Sequence, residues 1–242
     1  MRQAARTASA LTLLSLAALT LTACGGSQDS AADASGKPTC TASRTKQLTP
    51  AERLAKLVIT KADIDGYTVE KPDTKFAFAK SQGEVIINKT ACAPLAYAMN
   101  QLPLGKPQAG LTRTVETGSY GGASTYVTLA TYASGEAKSA MADLSKAVTS
   151  CGKGFTAKAT GNTSPYDSVT FEKATSPGDE SLAFRSTMTF RGTTHTLHAQ
   201  AVRRDDIVAT YFSVNGFAVA DGKPSDAKLP AAVVRAQNGK LG

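Results

Sequence analysis

The segment from Leu182 to Val214 constrains the fold more than any other part of the chain. Leu182, Phe184, Ser186, Met188 and Phe190 alternate with Ala183, Arg185, Thr187, Thr189 and Arg191, which is the two-residue period of a strand. Gly192-Thr193 turns this strand into a second one, His195–Arg203, and Arg204-Asp205-Asp206 turns that into a third, Ile207–Val214. Three strands joined by such short turns form an antiparallel meander, and Asn215-Gly216 after the third predicts one more hairpin. A chain with this segment is built around an antiparallel sheet.

Upstream, helices and short strands are interleaved. Thr49-Pro50-Ala51-Glu52 is a capping box with proline at the first helical position. Leu54, Leu57 and Val58 follow at helical spacing, predicting a helix to about Thr60. Asp65-Gly66 is a turn, and Tyr67–Glu70, Phe76–Phe78 and Val85–Ile87 read as short strands. Cys92-Ala93-Pro94-Leu95 opens a second helix that ends before Pro103, Pro94 being tolerated only in a first turn. Ser124–Tyr132 alternates as a strand. A helix capped by Ser134 follows, with Ala137, Ala140, Met141, Leu144, Ala147, Val148 and Cys151 on one stripe and Gly152 and Gly154 at its end. From Phe155 the pattern turns to strands, and a last helix is predicted from Pro230 to Ala236, with Gly239 beyond it. No internal repeat and no linker interrupts the chain after residue 48. The expectation is one α+β domain over residues 49–242, a twisted antiparallel sheet with helices packed on it.

The N-terminus concerns location. Arg2 and Arg6 precede a twelve-residue apolar run, Ala10 to Leu21, too short to span a bilayer and right for a signal peptide. It ends in Leu21-Thr22-Ala23-Cys24, which resembles a bacterial lipobox: residues 1–23 are removed, and Cys24 takes a lipid. Acyl chains then bury methylenes at about 0.8 kcal/mol each, holding the protein on the outer side of the cell membrane. Residues 24–48 hold almost no large apolar side chain and read as the lipidated cysteine and a flexible tether. A coil of that length has an end-to-end distance of roughly 25–30 Å.

Cleavage removes Arg2 and Arg6 and lowers the net charge from +8 to +6, a value suited to anionic envelope partners or simply to a well-solvated surface. Nucleic acid is a poor partner, because the chain has no dense Lys/Arg run and no interleaved aromatics.

Catalytic constellations are weak. His195 and His198, three apart on a strand, face opposite sides, so they predict no metal site, and no cofactor motif is present. There is no G-x-S-x-G elbow. Ser43-Arg44-Thr45-Lys46 lies in the tether, Gly36-Lys37 lacks a P-loop, Gly121-Gly122 is a turn, and Asp179-Glu180 is a loop pair. What remains is the polar face of one strand. Arg185, Thr187, Thr189 and Arg191, with Arg113 as a further candidate, have the donors to bind a carboxylate or phosphate, and a solvated sheet face explains them too.

Several segments together resemble a known family. Leu57-Val58-Ile59-Thr60-Lys61-Ala62-Asp63-Ile64-Asp65-Gly66-Tyr67, Cys92-Ala93-Pro94-Leu95, the block Tyr126 to Gly152, and Gly178-Asp179-Glu180-Ser181-Leu182-Ala183-Phe184-Arg185 occur in the order found in the extracellular sensor domains of PknH-type Ser/Thr kinases and in actinobacterial lipoproteins of that fold. The resemblance spans about residues 49–240. It implies a sheet-and-helix domain with a cleft, two helices joined by a disulfide, and non-enzymatic binding of an extracytoplasmic ligand. The kinase and its membrane helix are absent from this chain, so phosphorylation signalling does not carry over.

With Cys24 lipidated, Cys40, Cys92 and Cys151 remain, so one bridge at most is available, against two in the kinase sensor domain. Cys92 and Cys151 belong to two different predicted helices in an oxidising compartment, so a disulfide between them is expected, with two buried thiols as the alternative. Cys40 is free, pairs between molecules, or displaces one of the other two. Three functions compete at this level: a lipid-anchored sensor or binding protein, a module that docks another envelope protein, and a cell-wall hydrolase. A concave cleft with convergent polar groups favours the first, a flat apolar patch the second, and a nucleophile beside a base the third.

Overall fold

The computed structural model describes residues 47–119, 121–175 and 178–242. The expected signal peptide, Cys24, Cys40, Gly36-Lys37 and Ser43–Lys46 lie outside them. Helix α1, Pro50–Leu57, carries the expected capping box: Thr49 accepts from the Glu52 amide, and Glu52 accepts from Thr49 N at 2.8 Å. Strand β1, Tyr67–Glu70, and the two-residue β2, Ile86–Ile87, precede α2, Ala93–Ala98. Then come β3, Ala109–Thr117; β4, Ser124–Thr131; and α3, Glu136–Ser150. Strands β5, Phe155–Ala159; β6, Asn162–Tyr166; β7, Ser168–Glu172; β8, Glu180–Phe190; β9, Thr193–Arg204; and β10, Ile207–Val214, follow. The chain ends with α4, Gly216–Ala220; β11, Ser225–Ala227; and α5, Ala231–Leu241.

Eight strands form the main sheet in the order β1-β3-β4-β10-β9-β8-β7, antiparallel throughout, with β11 added parallel to β9 beside the stretch that β10 leaves unpaired. Strands β2, β5 and β6 form a small antiparallel sheet. The expected α+β class is the observed one.

The main sheet is covered on both faces. On one, the α3 stripe Ala137, Ala140, Met141, Leu144, Ala147 and Val148 packs with α2, β5 and Tyr166 against Phe184, Leu197, Ala199, Ala201, Val208 and Phe212. Each fully buried side chain the size of Leu144 contributes about 2 kcal/mol. On the other, Leu54 and Val58 at α1 and Val233 and Val234 of α5 cover Val115, Val127, Leu129, Val202, Ile207, Ala209 and Tyr211. Central strand β10 is therefore buried on both faces.

A disulfide joins Cys92 to Cys151, both buried, with a Cα–Cα distance of 5.9 Å. It ties the start of α2 to the end of α3. Just beyond, Gly154 sits at φ +79°, and a Cβ there would stand 2.2 Å from the carbonyl oxygen of Tyr166, so only glycine lets β5 leave α3 this way.

Several local expectations are corrected by packing. Phe76–Phe78 is not a strand: Phe76 ends a 3₁₀ turn, Thr74–Phe76, which the Asp73 carboxylate starts by accepting from Lys75 N at 2.9 Å, and residues 77–78 are irregular. The cap of α3 is Gly135, at φ +83°, and not Ser134. Asn215 starts α4 instead of a hairpin: its side chain accepts from Ala218 N at 2.9 Å. The last helix runs through Gly239 to Leu241. The buried Gln237 and Asn238 hold it, and their contacts outweigh the ~1 kcal/mol that a helical glycine costs. Strand β3 carried no clear signal in the sequence, since only Val115 within it is buried.

Candidate ligand-binding face

Gln237 shows how the helices on the α5 side are fixed. Its side chain accepts from Ile59 N at 2.7 Å and donates to Leu57 O at 2.9 Å, satisfying backbone groups at and just beyond the end of α1. Tyr211, wholly buried, donates to Asn238 Oδ1 at 2.5 Å. These contacts hold α1 and α5 over β3, β4 and β10. The apolar cluster beneath them includes no described residue of β7 or β8. That end of the sheet keeps a polar face.

Arg185, Thr187 and Thr189 lie on it. Arg185 is the register partner of His198 on β9 and of Thr170 on β7. Thr187 shares a hydrogen bond with Ser168 at 2.7 Å, and Thr189 one with Thr194 at 3.4 Å. Arg191 is in the following turn at φ +50°, its guanidinium 5.1 Å above the ring of Phe190. Arg113 is not near them. It donates to Thr112 O on β3, four strand spacings or about 19 Å across the sheet from β8.

His195 and His198 do point to opposite faces. The buried His195 has Nδ1 3.0 Å from Ser225 Oγ and no partner at Nε2 among the described residues. No carboxylate among the described residues hydrogen-bonds to this His195–Ser225 pair. His198, 3% exposed, stands between two carboxylates, with Nδ1 2.7 Å from Glu172 Oε2 and Nε2 2.6 Å from Asp226 Oδ1. Lys228 completes the group, 2.9 Å from Asp226 Oδ2 and 3.3 Å from His198 Nε2. The Asp226 carboxyl is held below its usual range by Lys228 first and His198 second. The two carboxylates occupy opposite ring nitrogens and do not converge on one point. Among the described residues no His/Cys/Asp/Glu cluster has the geometry to hold a metal.

Beside His198 a cleft of about 300 Å³ opens between β7, β9 and the segment after β11, lined by Glu172, Lys173, Thr175, Gln200, Lys228 and Leu229. Sequence reasoning reached the neighbouring Arg185, set His198 aside as an ordinary strand residue, and missed Glu172, Gln200, Asp226 and Lys228. They come from three strands and the segment after β11, and no local spacing relates them. A second concave region lies at the opposite end of the sheet. Two adjoining hollows of about 210 and 390 Å³ share Thr68, Glu70 and Glu116. Ser124 donates to Glu116 there, and burial followed by the Glu116 charge pushes the Tyr126 phenol up. The large apolar side chains most exposed, Leu48, Ile86, Phe171 and Phe217, sit on four separate segments.

The architecture defines a class: an antiparallel sheet covered by helices on both faces and carrying a small second sheet. The extracellular domain of PknH from Mycobacterium tuberculosis shares this fold, with a TM-score of 0.52 over 81% of this chain and 95% of that one at 11% identity. A putative uncharacterised protein from Mycobacterium smegmatis aligns over 74% of this chain and 90% of its own, at 13% identity and a TM-score of 0.36. No family model matches the sequence, and no curated protein matches it.

Proposed function

We propose that this protein is a lipid-anchored extracytoplasmic binding or sensor domain, non-enzymatic, that recognises a ligand on the polar face of β7, β8 and β9. The observation that carries the reading is the fold shared with the extracellular domain of PknH over nearly all of that domain. The lipobox at Leu21–Cys24, the tether behind it and a disulfide suited to an oxidising compartment support the location. Anionic envelope molecules are the first ligand class to screen, given the charge of +6 after cleavage and the exposed Arg185.

Radiolabelled palmitate fed to cells expressing the full chain tests the anchor. Label and membrane association should both be lost in Cys24→Ala. A variant that still labels and still sediments with membranes overturns the anchoring.

A further inference from the structure

Gln200 is the least expected feature of the polar face. It is wholly buried, and its Oε1 accepts twice, from Thr175 N at 3.0 Å and from Thr175 Oγ1 at 2.9 Å. Those two donors settle which end of the amide is oxygen. The other end, Nε2, is buried with no partner among the described residues, and Gln200 is one of the residues that line the cleft beside His198. A desolvated amide donor left unpaired is costly, and an acceptor oxygen in the cleft relieves that cost.

The surrounding groups specify the rest of the ligand. Lys173 lines the same cleft together with Lys228, which already pairs with Asp226, and Arg185 is one strand spacing from His198, so the acceptor is favoured as an anion. Glu172 uses Oε2 on His198, which leaves Oε1 to accept from a donor carried by the ligand. No Phe, Tyr or Trp among the described residues lines the cleft, which removes the usual stacking platform for a sugar. A volume of about 300 Å³ is that of roughly ten waters, enough for a molecule of a few heavy atoms with its hydration.

We infer that the Gln200 cleft binds a small carboxylate with a hydrogen-bond donor on the adjacent carbon, an α-hydroxy or α-amino acid. The carboxylate accepts from Gln200 Nε2 and pairs with the lysine ammonium groups, and the hydroxyl or ammonium donates to Glu172. This rests on the reading of the domain as a binding module, but not on its lipid anchor.

The test is a titration of the ¹⁵N-labelled full chain with lactate and with alanine, following the side-chain amide of Gln200 by NMR. Propionate, which lacks the donor, and alaninamide, which lacks the carboxylate, are the comparison probes. Lactate or alanine should move the Gln200 resonances saturably, propionate should bind about tenfold more weakly, and alaninamide should leave them in place. Gln200→Glu keeps the acceptor for Thr175 and replaces the donor with a negative oxygen, so calorimetry should find binding abolished. Lys173→Met, which leaves the buried amide intact, should weaken it about tenfold and covers the case in which the first variant does not fold.

The site is overturned if neither acid shifts Gln200 up to about 50 mM, far above the millimolar Kd expected for so small a ligand. It is equally overturned if alaninamide matches alanine. Saturable binding that leaves Gln200 unmoved removes this site while sparing the proposed binding function.

Discussion

Opening the Cys92–Cys151 bridge should cost this domain a large part of its stability. The two cysteines are 59 residues apart, and the chain-entropy relation for a closed loop of that length gives about 4 kcal/mol at 25 °C. For a domain of nearly 200 residues each kcal/mol moves the melting temperature by roughly 2–4 °C, so the midpoint should fall by about 8–16 °C. Two perturbations separate the cross-link from the atoms that make it. Reduction of the intact protein removes only the bond. The Cys92→Ala/Cys151→Ala variant also removes two buried sulfur atoms from the cluster of α2, α3 and Phe155, which adds about 1 kcal/mol for each. Scanning calorimetry with and without dithiothreitol should therefore rank the oxidised protein first, the reduced protein second and the double variant last. Cys40→Ser should melt with the oxidised parent. The reasoning is refuted if the reduced protein melts within about 2 °C of the oxidised one, or if both cysteines of the exported protein are alkylated without reductant.

Gln237→Ala should destabilise the domain by about 2–4 kcal/mol in urea unfolding, because it leaves Ile59 N and Leu57 O without their partner inside the α1–α5 contact; a change under about 1 kcal/mol would show that water replaces the amide. Asp63 is held down to about 2, first by the Thr60 hydroxyl and then by Lys240 of α5. Its contribution is present above the unfolded carboxyl value near 3.9 and is lost as pH falls toward 2. Both partners are only partly buried, so Asp63→Asn should cost about 1 kcal/mol at pH 7 and only a small fraction of that at pH 2, and an equal deficit at both pH values would contradict the assignment.

The amino-acid sequence by itself determined the parts of this protein that depend on short-range pattern. Alternation placed β8, β9 and β10 within a residue or two and assigned the faces of β8, because a side chain two positions along a strand returns to the same side whatever lies above it. The α3 stripe and the capping box of α1 were equally legible, since the residues involved lie within one or two helical turns of each other. Tertiary structure decided the rest. Strand β3 is a central strand despite its weak pattern, because β1 and β4 pair with it on both edges. Gly239 stays helical because Gln237 and Asn238 are anchored to α1 and Tyr211.

The candidate site divides along the same line. Arg185, Thr187 and Thr189 were visible as one face of one strand, but Arg113 is separated from them by three intervening strands, an order that no local spacing encodes. His198 meets Glu172 from 26 residues upstream and Asp226 from 28 residues downstream. The unpartnered amide of Gln200 exists only because β7, β9 and the segment after β11 close around it. A buried donor is a property of what surrounds a residue, and the surroundings are set by sheet order rather than by sequence neighbours.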